Sequence, residues 1–296
     1  MPELPEVETI RRELAPRLVG RTFGEAWAFP HPKFTAALDA AGATVSYLAR
    51  RGKYLLMGLG NGPHGHAADG TSEGKRELVV HLGMTGSLLL CSSLDRPDAT
   101  DASRRPSHVR AWWELRPASV PDSVHGPREW LVFRDVRRFG RIAVADNGNY
   151  RGSLAAQGPD ALDPTVSAEE LWRALRRSRR AVKTQLLSQR PLAGIGNIYA
   201  DEALWLAGIY PRRRRVTRRQ ASCLLDAVRE VLEVSLGNGG TTLRDYRRAT
   251  GATGRNRERL ACYGRAGQQC RRCATTLRRM VIDGRATTWC PNCQER

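Results

Sequence analysis

Long apolar runs are missing from this sequence of 296 residues. No stretch approaches the roughly 20 apolar residues that a membrane-spanning helix needs. The N-terminus also lacks the apolar core of a signal peptide. Both absences argue against a membrane or secreted protein, so we expect a soluble, cytoplasmic chain. Its length suits about two domains with cores of their own.

Acidic residues are few relative to basic ones, with 30 Asp and Glu against 48 Lys and Arg, so the net charge is +18. Such an excess favours a polyanionic partner held by salt-sensitive phosphate contacts. Nucleic acid is therefore the expected partner. No RNA-recognition motif or stacking-rich sheet is visible, which makes RNA binding through a zinc ribbon the more distant alternative. Nothing in the sequence indicates an obligate oligomer, and we expect a monomer.

Cysteine is too unevenly placed for a disulfide framework. Of the seven cysteines, four form two CxxC pairs with sixteen residues between them. Two such pairs fit a tetrahedral zinc site, and four cysteines leave no open position for a catalytic water, so the predicted zinc is structural. Between the pairs, Thr276 to Ile282 and Arg285 to Trp289 are expected to form a hairpin, turned by Asp283-Gly284, that projects Arg285. The predicted zinc ligands are Cys270, Cys273, Cys290 and Cys293.

The first residues, Met1-Pro-Glu-Leu-Pro-Glu-Val-Glu-Thr9, indicate a nucleophile. If Met1 is removed, Pro2 presents a secondary amine with Glu3 beside it. Terminal amines titrate near ~7.7 to 8.0, well below the ~10.4 of lysine, so a useful fraction is neutral at physiological pH. Such an amine can attack an aldehyde-like carbon to form a Schiff base, and a neighbouring carboxyl can move the protons. The alternative is structural, with prolines that stiffen the chain and glutamates that stabilise a helix start.

Short apolar runs, separated by Gly, Pro and Asp, fill residues 22–144 and predict a β-sandwich or flattened barrel. An amphipathic helix precedes them over Glu6 to Leu18, and helical periodicity follows a boundary at Gly148 to Pro164. We therefore predict an α+β multidomain protein with an N-terminal β-sandwich carrying an N-terminal helix, a helical domain and a four-cysteine zinc finger. The predicted domains are residues 1–148, 149–250 and 251–296.

Three motifs in the first domain combine charge with turn residues. Arg50 to Tyr54 places three cations before an apolar strand and by itself indicates a surface charge cluster. His81 to Gly86 ends a strand in a two-glycine turn that can expose His81 and Met84, although such a methionine is more often core. Arg134 to Gly140 offers arginines for phosphates or base edges and one aromatic wedge. Its alternative interpretation is a hairpin neutralised by an aspartate and its own arginines.

The helical region contains a predicted anion site. Gly194 to Glu202 is a two-glycine turn that leads into a helix and exposes backbone amides and Asn197 towards an anion. Arg212 to Arg215 indicates a solvated basic turn suited to non-specific phosphate contact. Thr217 to Leu236 is expected to be an amphipathic helix with Cys223 on its buried face.

Six motifs together resemble those of bacterial formamidopyrimidine-DNA glycosylases, in the same order and across the whole chain apart from two insertions. The related endonuclease VIII shares the terminal Pro-Glu, the helix-two-turn-helix and the finger. However, the Leu-Pro-Glu-Val-Glu-Thr sequence and the combination of Met with Arg-Arg-Phe resemble the formamidopyrimidine branch. The motifs are Met1 to Thr9, His81 to Gly86, Arg134 to Gly140, Gly194 to Leu204, Gly239 to Tyr246 and the four-cysteine finger.

This resemblance implies a bifunctional glycosylase and abasic-site lyase that removes 8-oxoguanine opposite cytosine and ring-opened purines from double-stranded DNA. By position, it makes Pro2 the Schiff-base nucleophile and Glu3 the acid that helps to open the sugar. Lys53 matches the lysine associated with β-elimination, and Arg285 matches the finger arginine associated with δ-elimination. Because the amine and the carboxyl supply this chemistry, bound NAD or Mg²⁺ is not expected, and one structural zinc is.

The resemblance also implies a set of DNA contacts. Met84, Arg137 and Phe139 match the trio that fills the gap left by a flipped base and probes the opposite cytosine. Lys183 and Asn197 match residues near the lesion phosphate. The full implied set is His81, Met84, His108, Arg137, Phe139, Arg179, Lys183, Asn197 and Tyr199.

Several segments depart from the family pattern. Val136 replaces a usual proline, and Pro106 stands where a second histidine often precedes His108, which puts one phosphate contact in doubt. Arg247 to Leu260 replaces the usual lid over the flipped base with a basic loop, which leaves open a preference for oxidised pyrimidines. A catalytically silent DNA-binding relative is the third hypothesis, against which the intact catalytic residues argue. The two stretches that resemble surface insertions are Gly60 to Arg76 and Ser92 to Ser107.

Overall fold

The computed structural model describes residues 1–61, 75–92, 108–117 and 128–295, which form two compact units. Pro106 and most of both predicted insertions lie outside the described residues. None of the helices in the described part is long and apolar enough to cross a membrane. The first unit comprises Met1–Pro2, Glu6–Arg151 and Thr242–Gly254, and the second comprises Glu3–Pro5, Gly152–Thr241 and Arg255–Arg296.

The N-terminal helix, α1 (Leu4–Leu18), forms as the sequence predicts. Val7, Ile10, Leu14 and Leu18 recur at intervals of three and four residues and are fully buried. This spacing places them on one face of the helix, and burial of that face in the core of the first unit stabilises it.

The first unit contains eight antiparallel strands in the hydrogen-bonded order β5-β7-β6-β1-β2-β3-β4-β8. β1 and β2 pair at a single position, Thr22 with Thr44, whereas the other neighbours pair along their length. The sheet therefore consists of two four-stranded halves with one short junction. The strands are β1 (Arg21–Ala28), β2 (Ala43–Arg51), β3 (Tyr54–Asn61), β4 (Arg76–His81), β5 (Gly86–Cys91), β6 (Val109–Pro117), β7 (Glu129–Asp135) and β8 (Arg141–Asp146).

Both halves of the sheet contribute to one apolar core. Phe23 and Phe133 come from the first half and Leu55 and Val80 from the second, and all four side chains are fully buried in the same cluster as α1. Side chains of two sheet layers that share a core face each other. The prediction of a β-sandwich with an N-terminal helix is confirmed.

The second unit is helical and ends in a two-stranded hairpin. Side-chain hydrogen bonds of Ser167 with Glu170, and of Thr217 with Gln220, form capping boxes at the starts of its second and fifth helices. In the hairpin turn, Asp283 and Gly284 have φ angles of +44° and +72°, as a two-residue I′-type turn requires. The elements are α2 (Gly152–Ala155), α3 (Ala168–Arg176), α4 (Val182–Leu187), α5 (Asn197–Leu206), α6 (Arg218–Gly237), β9 (Arg278–Ile282) and β10 (Arg285–Trp289).

Two features differ from the sequence-based expectations. Cys223 on α6 is exposed, because the buried stripe passes through Leu224, Leu225 and Val228 and leaves its neighbour outside. The predicted boundary at residue 250 falls inside Thr242–Gly254, which packs with the first unit. There Tyr246 enters the core, and the Glu13 carboxylate accepts a hydrogen bond from the backbone N–H of Ala249 at 2.9 Å.

Candidate active site and DNA-binding surfaces

The Glu3 carboxylate occupies the anion site that the two-glycine turn was predicted to form. Backbone N–H groups of Gly196, Ile198 and Tyr199, at the start of α5, donate to it at 2.7, 2.9 and 3.4 Å. Only 2% of Glu3 is exposed. The sequence therefore indicated the chemistry of the turn correctly, but the anion is a side chain of the protein itself.

Both glycines of this turn are required by the approach of the N-terminal segment. A Cβ on Gly196 would lie 2.2 Å from Cδ of Glu3, and one on Gly194 would lie 2.3 Å from Cδ1 of Leu4. Gly194 also has a φ of +106°, a backbone angle that residues with a side chain rarely adopt. The turn thus holds Glu3 in a fixed place, directly after Pro2 in the chain. Pro2 is itself buried, and its nitrogen is joined to Met1, so the predicted nucleophile needs Met1 to be removed.

Lys53 lies at the tip of the hairpin between β2 and β3. Arg51 pairs with Tyr54, which leaves Gly52 and Lys53 as a two-residue turn, and Gly52 has the positive φ (+56°) that such turns need. Arg50 braces this tip, because its guanidinium donates to the carbonyl of Gly52 at 2.9 Å and to Glu8 on α1 at 3.0 Å. Lys53 is 6% exposed.

Glu8 joins this brace to the N-terminal helix. Its carboxylate accepts hydrogen bonds from Arg11 and Arg12 at 2.8 Å each, in addition to Arg50. Burial acts to raise the pKa of Glu8, but the hydrogen bonds from Arg11 and Arg12 and the charge of Arg50 outweigh it and lower that pKa to about 2. The carboxylate therefore stays ionised and holds the Lys53 hairpin against α1.

His81 is a neutral imidazole beside the Lys53 hairpin. Burial, together with the charges of Lys53 and Arg141, lowers the pKa of His81 to about 4. The Tyr54 ring lies 4.5 Å from the imidazole, centroid to centroid. Nδ1 accepts the backbone N–H of Gly83 at 3.3 Å, so the ring proton is on Nε2. This tautomer can donate a hydrogen bond to a phosphate oxygen.

The trio implied by the resemblance, here termed the probing triad (Met84, Arg137 and Phe139), lies on two loops of the first unit. Met84 is half-buried, whereas Arg137 and Phe139 are exposed. The Arg137 guanidinium stacks over the Phe139 ring at 4.6 Å from its centroid. An aromatic side chain that remains 47% exposed is suited to insertion between bases.

His108 and Asp135 support the second of these loops. His108 is exposed, has a φ of +74°, and accepts the backbone N–H of Asp135 at its carbonyl. The Asp135 carboxylate accepts hydrogen bonds from Thr85 and from backbone N–H groups. The alternative interpretation, in which this aspartate neutralises the neighbouring arginine side chains, does not describe the structure.

The position of Lys183 in the structure differs from that of a residue in contact with a DNA phosphate. Its ammonium is fully buried and donates to Asp201 Oδ1 at 2.5 Å, to Thr287 Oγ1 at 2.8 Å and to the carbonyl of Ala286 at 3.2 Å. An ammonium has three N–H donors, and all three have protein acceptors here. A direct phosphate contact by Lys183 therefore needs this network to open first.

Tyr199 also differs from its implied role, whereas Asn197 braces the finger. The Tyr199 hydroxyl is buried between those of Ser235 and Thr241, at 2.5 and 2.9 Å, so it has no free face for DNA. The Asn197 side chain donates to the carbonyl of Ala286 at 3.1 Å. Since Ala286 follows Arg285, the start of α5 holds the strand that carries Arg285.

Arg285 is exposed at the first position of β10. A basic surface pocket is lined by the end of the preceding strand and the hairpin turn, at Val281, Ile282 and Asp283. The pocket combines the implied DNA contact Arg179 with Arg180, Arg212 and Arg214, and the carboxylate of Asp283 accepts from Arg180 at 3.0 Å. Arginines grouped in this way suit phosphodiester anions, because a guanidinium offers paired donors to phosphate oxygens.

The four predicted zinc ligands form one cluster. Their Sγ atoms all lie within 4.8 Å of one another, and the Cys270–Cys293 and Cys273–Cys290 pairs are 3.9 and 3.5 Å apart. Tetrahedral zinc with Zn–S bonds of about 2.3 Å places its sulfurs about 3.8 Å apart, so the cysteines fit the ion. Trp205 Nε1 donates to Cys270 Sγ at 3.3 Å, as suits a thiolate. The four cysteines form the site of one structural zinc, which would link the two CxxC turns.

Cys290→Ser, or treatment with a strong chelator, is expected to release one zinc per chain and abolish DNA binding. The finger has little core of its own, and zinc binding contributes about 10–16 kcal/mol to the folding of small zinc domains. Released zinc is measured with a chromogenic indicator, and DNA affinity by fluorescence anisotropy. Cys223→Ser, which changes an exposed cysteine on α6, is the control and should change neither quantity. Full DNA binding by zinc-free protein would contradict the assignment.

Three carboxylates that organise the site were missed by the sequence analysis. Glu8 braces the Lys53 hairpin, Asp135 supports the probing triad, and Asp201 joins α5 to the finger by accepting from Lys183 and from the backbone N–H of Thr288. For Asp135 the available signal was a single acidic residue inside an otherwise basic and apolar segment, whereas Glu8 and Asp201 have other acidic residues nearby. That pattern shows that a carboxylate needs a partner but not which distant residue provides it.

Three family models match most of the chain. The formamidopyrimidine-DNA glycosylase N-terminal domain matches residues 1–142, the H2TH domain of the same enzyme matches 157–247, and a zinc finger found in FPG and IleRS matches 267–296. The formamidopyrimidine-DNA glycosylases of Thermomicrobium roseum and Deinococcus radiodurans are 42% and 38% identical. Each alignment covers 99% of this chain. The first covers 99% of the Thermomicrobium protein and the second covers 97% of the Deinococcus protein.

Two solved structures show the same similarity. MutM (Fpg) from Thermus thermophilus matches with a TM-score of 0.81 and 37% identity, over 99% of this chain and 98% of that one. A variant of Lactococcus lactis FPG in complex with Fapy-dG-containing DNA matches with a TM-score of 0.80 and 30% identity over the whole of both chains. Sequence, fold and zinc site thus agree, and the chain belongs to the formamidopyrimidine-DNA glycosylase family.

Proposed function

We propose that this protein excises oxidised purines from double-stranded DNA and then cleaves the abasic site, using the amine of Pro2 as the nucleophile. The observation that carries the proposal is the Glu3 carboxylate, held next to Pro2 by three backbone N–H groups, in a chain of this family. Related proteins bound to DNA with Fapy-dG or a carbocyclic 8-oxo-G support the purine assignment. The net charge of +18 suits the DNA backbone.

The reaction begins when the Pro2 nitrogen attacks C1′ of the damaged nucleotide. Its lone pair forms the C–N bond, the glycosidic bond breaks, and the base leaves with the electron pair of that glycosidic bond and takes up a proton from water. The amine gives its own proton to the Glu3 carboxylate. Opening of the sugar ring then gives an iminium ion, for which Glu3 supplies a proton to the ring oxygen. The three N–H groups that fix Glu3 keep its carboxyl beside Pro2 while the proton moves.

Two eliminations follow from the iminium ion. Loss of a C2′ proton expels the 3′ phosphate, and a second elimination expels the 5′ phosphate. Each leaving group is an anion, and a nearby cation stabilises it as it departs. Lys53 serves the first step from its braced hairpin in the first unit. Arg285 serves the second from the finger hairpin, and water finally releases the sugar fragment and the free amine.

Recognition relies on eversion of the damaged nucleotide. Removal of a base from the stack costs a few kcal/mol, which the enzyme offsets by filling the gap. The probing triad is suited to this role, because Phe139 is exposed, Arg137 stacks upon it and Met84 lies on the neighbouring loop. We further propose that the protein acts as a monomer. We place it in the cytoplasm, because its relatives are bacterial and bacterial DNA lies there.

Borohydride trapping tests the nucleophile. On a duplex with 8-oxoguanine opposite cytosine, protein that begins at Pro2 should form a covalent adduct, and an undamaged duplex should give none. A protein extended by one residue ahead of Pro2 moves its terminal amine by about 3.8 Å and should form no adduct. Intact mass establishes the N-terminus of each preparation. Undiminished trapping by the extended protein would assign the nucleophile to a side chain. Trapping only on oxidised pyrimidines would change the proposed substrate from oxidised purines to oxidised pyrimidines.

A further inference from the structure

The probing triad is carried by two loops whose backbones touch. The Met84 loop (residues 82–85) joins β4 to β5, and the Phe139 loop (residues 136–140) joins β7 to β8. A Cβ on Gly83 would lie 2.4 Å from the nitrogen of Gly140 and 2.5 Å from the carbonyl carbon of Phe139. Only glycine permits this approach, and its φ of +66° is a second reason for glycine there.

One buried carboxylate joins the two loops. Asp135, fully buried at the end of β7, accepts the Thr85 hydroxyl at Oδ1 (2.5 Å) and the backbone N–H of Gly140 at Oδ2 (2.7 Å). Oδ1 also accepts the backbone N–H of Arg137 at 3.2 Å. Thr85 follows Met84, and Gly140 follows Phe139. Each loop is thus held at the residue next to its probing side chain.

The same contacts are connected to each other. Thr85 Oγ1, which donates to Asp135, accepts the backbone N–H of Arg137 at 3.1 Å. His81 holds the other end of the Met84 loop through Gly83. The two loops therefore share a hydrogen-bond network, and such networks couple the groups that they contain.

From this network we propose that Asp135 is a positioning residue that makes the Met84 loop and the Phe139 loop act as one rigid wedge. The inference rests on the proposed function, because it concerns how the damaged base leaves the stack. A wedge that enters a duplex must keep its shape against the stacked bases, and flexibility in either loop reduces the force that it transmits. Without the carboxylate, Met84 and Phe139 would enter the gap independently.

Asp135→Asn tests the proposal with little change in shape. One carboxylate oxygen becomes an NH₂ group, which cannot accept from Thr85 or from Gly140, so one loop is released. Hydrogen bonds to charged groups have net effects of about 1.5–3 kcal/mol, which correspond to roughly tenfold to hundredfold changes in rate. We expect single-turnover excision of 8-oxoguanine to fall by that factor. Cleavage of a preformed abasic site should change less than threefold, or about 0.6 kcal/mol by the same constant, because no base has to leave.

Glu77→Gln is the matched control. Glu77 is another buried carboxylate of the first unit, and it accepts hydroxyl hydrogen bonds from Tyr47 at 2.5 Å and Tyr150 at 2.6 Å, neither of which lies on either loop. Its replacement should lower the melting temperature much as Asp135→Asn does but leave the ratio of excision to abasic-site cleavage unchanged. A change of that ratio in both variants, or in neither, would overturn the inference.

A double-mutant cycle separates this inference from the proposed function. Met84→Ala alone should lower excision, and in the Asp135→Asn background its effect should shrink, because the rigid wedge is already lost. Additive effects would show that Asp135 does not couple the loops. If Met84→Ala and Phe139→Ala both leave excision unchanged in the otherwise native protein, the probing role itself fails, whatever Asp135 does.

Discussion

Glu3→Gln is expected to lower base excision by about 10²- to 10⁴-fold, the usual effect of losing a general acid or base. The amide cannot deliver the proton that opens the sugar ring. It also presents an NH₂ group to the N–H donors of Gly196, Ile198 or Tyr199, so at least one buried donor loses its partner. That loss should lower the free energy of unfolding by about 1–3 kcal/mol. Single-turnover kinetics and chemical denaturation measure the two effects.

Glu202→Gln separates the chemical effect from the structural one. Glu202 is also buried in the second unit, and it accepts backbone N–H groups of Ala261, Cys262 and Tyr263 at 2.8, 2.8 and 2.6 Å. Its replacement should cost similar stability and reduce excision only through that loss. Equal losses of excision in the two variants, at temperatures where both are folded, would remove Glu3 from the chemistry.

Asp201→Asn is expected to lower the free energy of unfolding by about 3–5 kcal/mol, because it leaves the buried ammonium of Lys183 without its counter-charge. Burial raises the pKa of Asp201, and the ion pair with Lys183 and the N–H group of Thr288 oppose that shift. Asp201 also accepts the backbone N–H of Thr288, so β10 should loosen together with Arg285. Denaturation gives the stability, and hydrogen exchange at β10 reports on the hairpin.

The controls for this variant compare buried with exposed ion pairs, whose loss changes the free energy of unfolding by different amounts. Glu169→Gln breaks exposed pairs with Arg173 and Arg218 and should leave the unfolding free energy nearly unchanged. Replacing both partners, Lys183→Met with Asp201→Leu, removes the unpaired charge and should recover much of the stability but not the protection of β10. Full protection of β10 in that double variant would show that Asp201 and Lys183 do not hold this strand in place.

Lys183→Met distinguishes between two roles of Lys183, one in the buried network that holds β10 and one in a phosphate contact. A side chain that neutralises a phosphate contributes about one unit to the slope of log K against log salt concentration. The buried network predicts an unchanged slope with weaker binding at all salt concentrations. A slope reduced by about one would show that the network opens and that Lys183 reaches the DNA.

The parts of the site that lie close together in the sequence could be predicted from it. The two CxxC pairs defined the zinc ligands, because the spacing of a knuckle is local. The hairpin turn at Asp283-Gly284 and the two-glycine turn before Asn197 were also local, since both follow from backbone conformations that few residues adopt. Recognition of an anion at that second turn needed only its exposed N–H groups.

Identification of the anion needed the tertiary structure. Glu3 lies nearly two hundred residues from Gly196, and nothing in either segment indicates that they meet. The same holds for Lys183, a lysine that the sequence cannot distinguish from a surface cation. Its burial depends on Asp201 and on a carbonyl of β10, which fold around it from other parts of the second unit.

By itself, the sequence determined the four zinc cysteines, the excess of basic residues and the turn before Asn197 that binds an anion. Each follows from residue type or short spacing. The tertiary structure alone decided which charges are available to DNA and which are internal partners, as for Glu3, Asp135 and Lys183. The physical reason is that burial and hydrogen bonding depend on residues far apart in the chain, whereas intrinsic reactivity and local backbone preference do not.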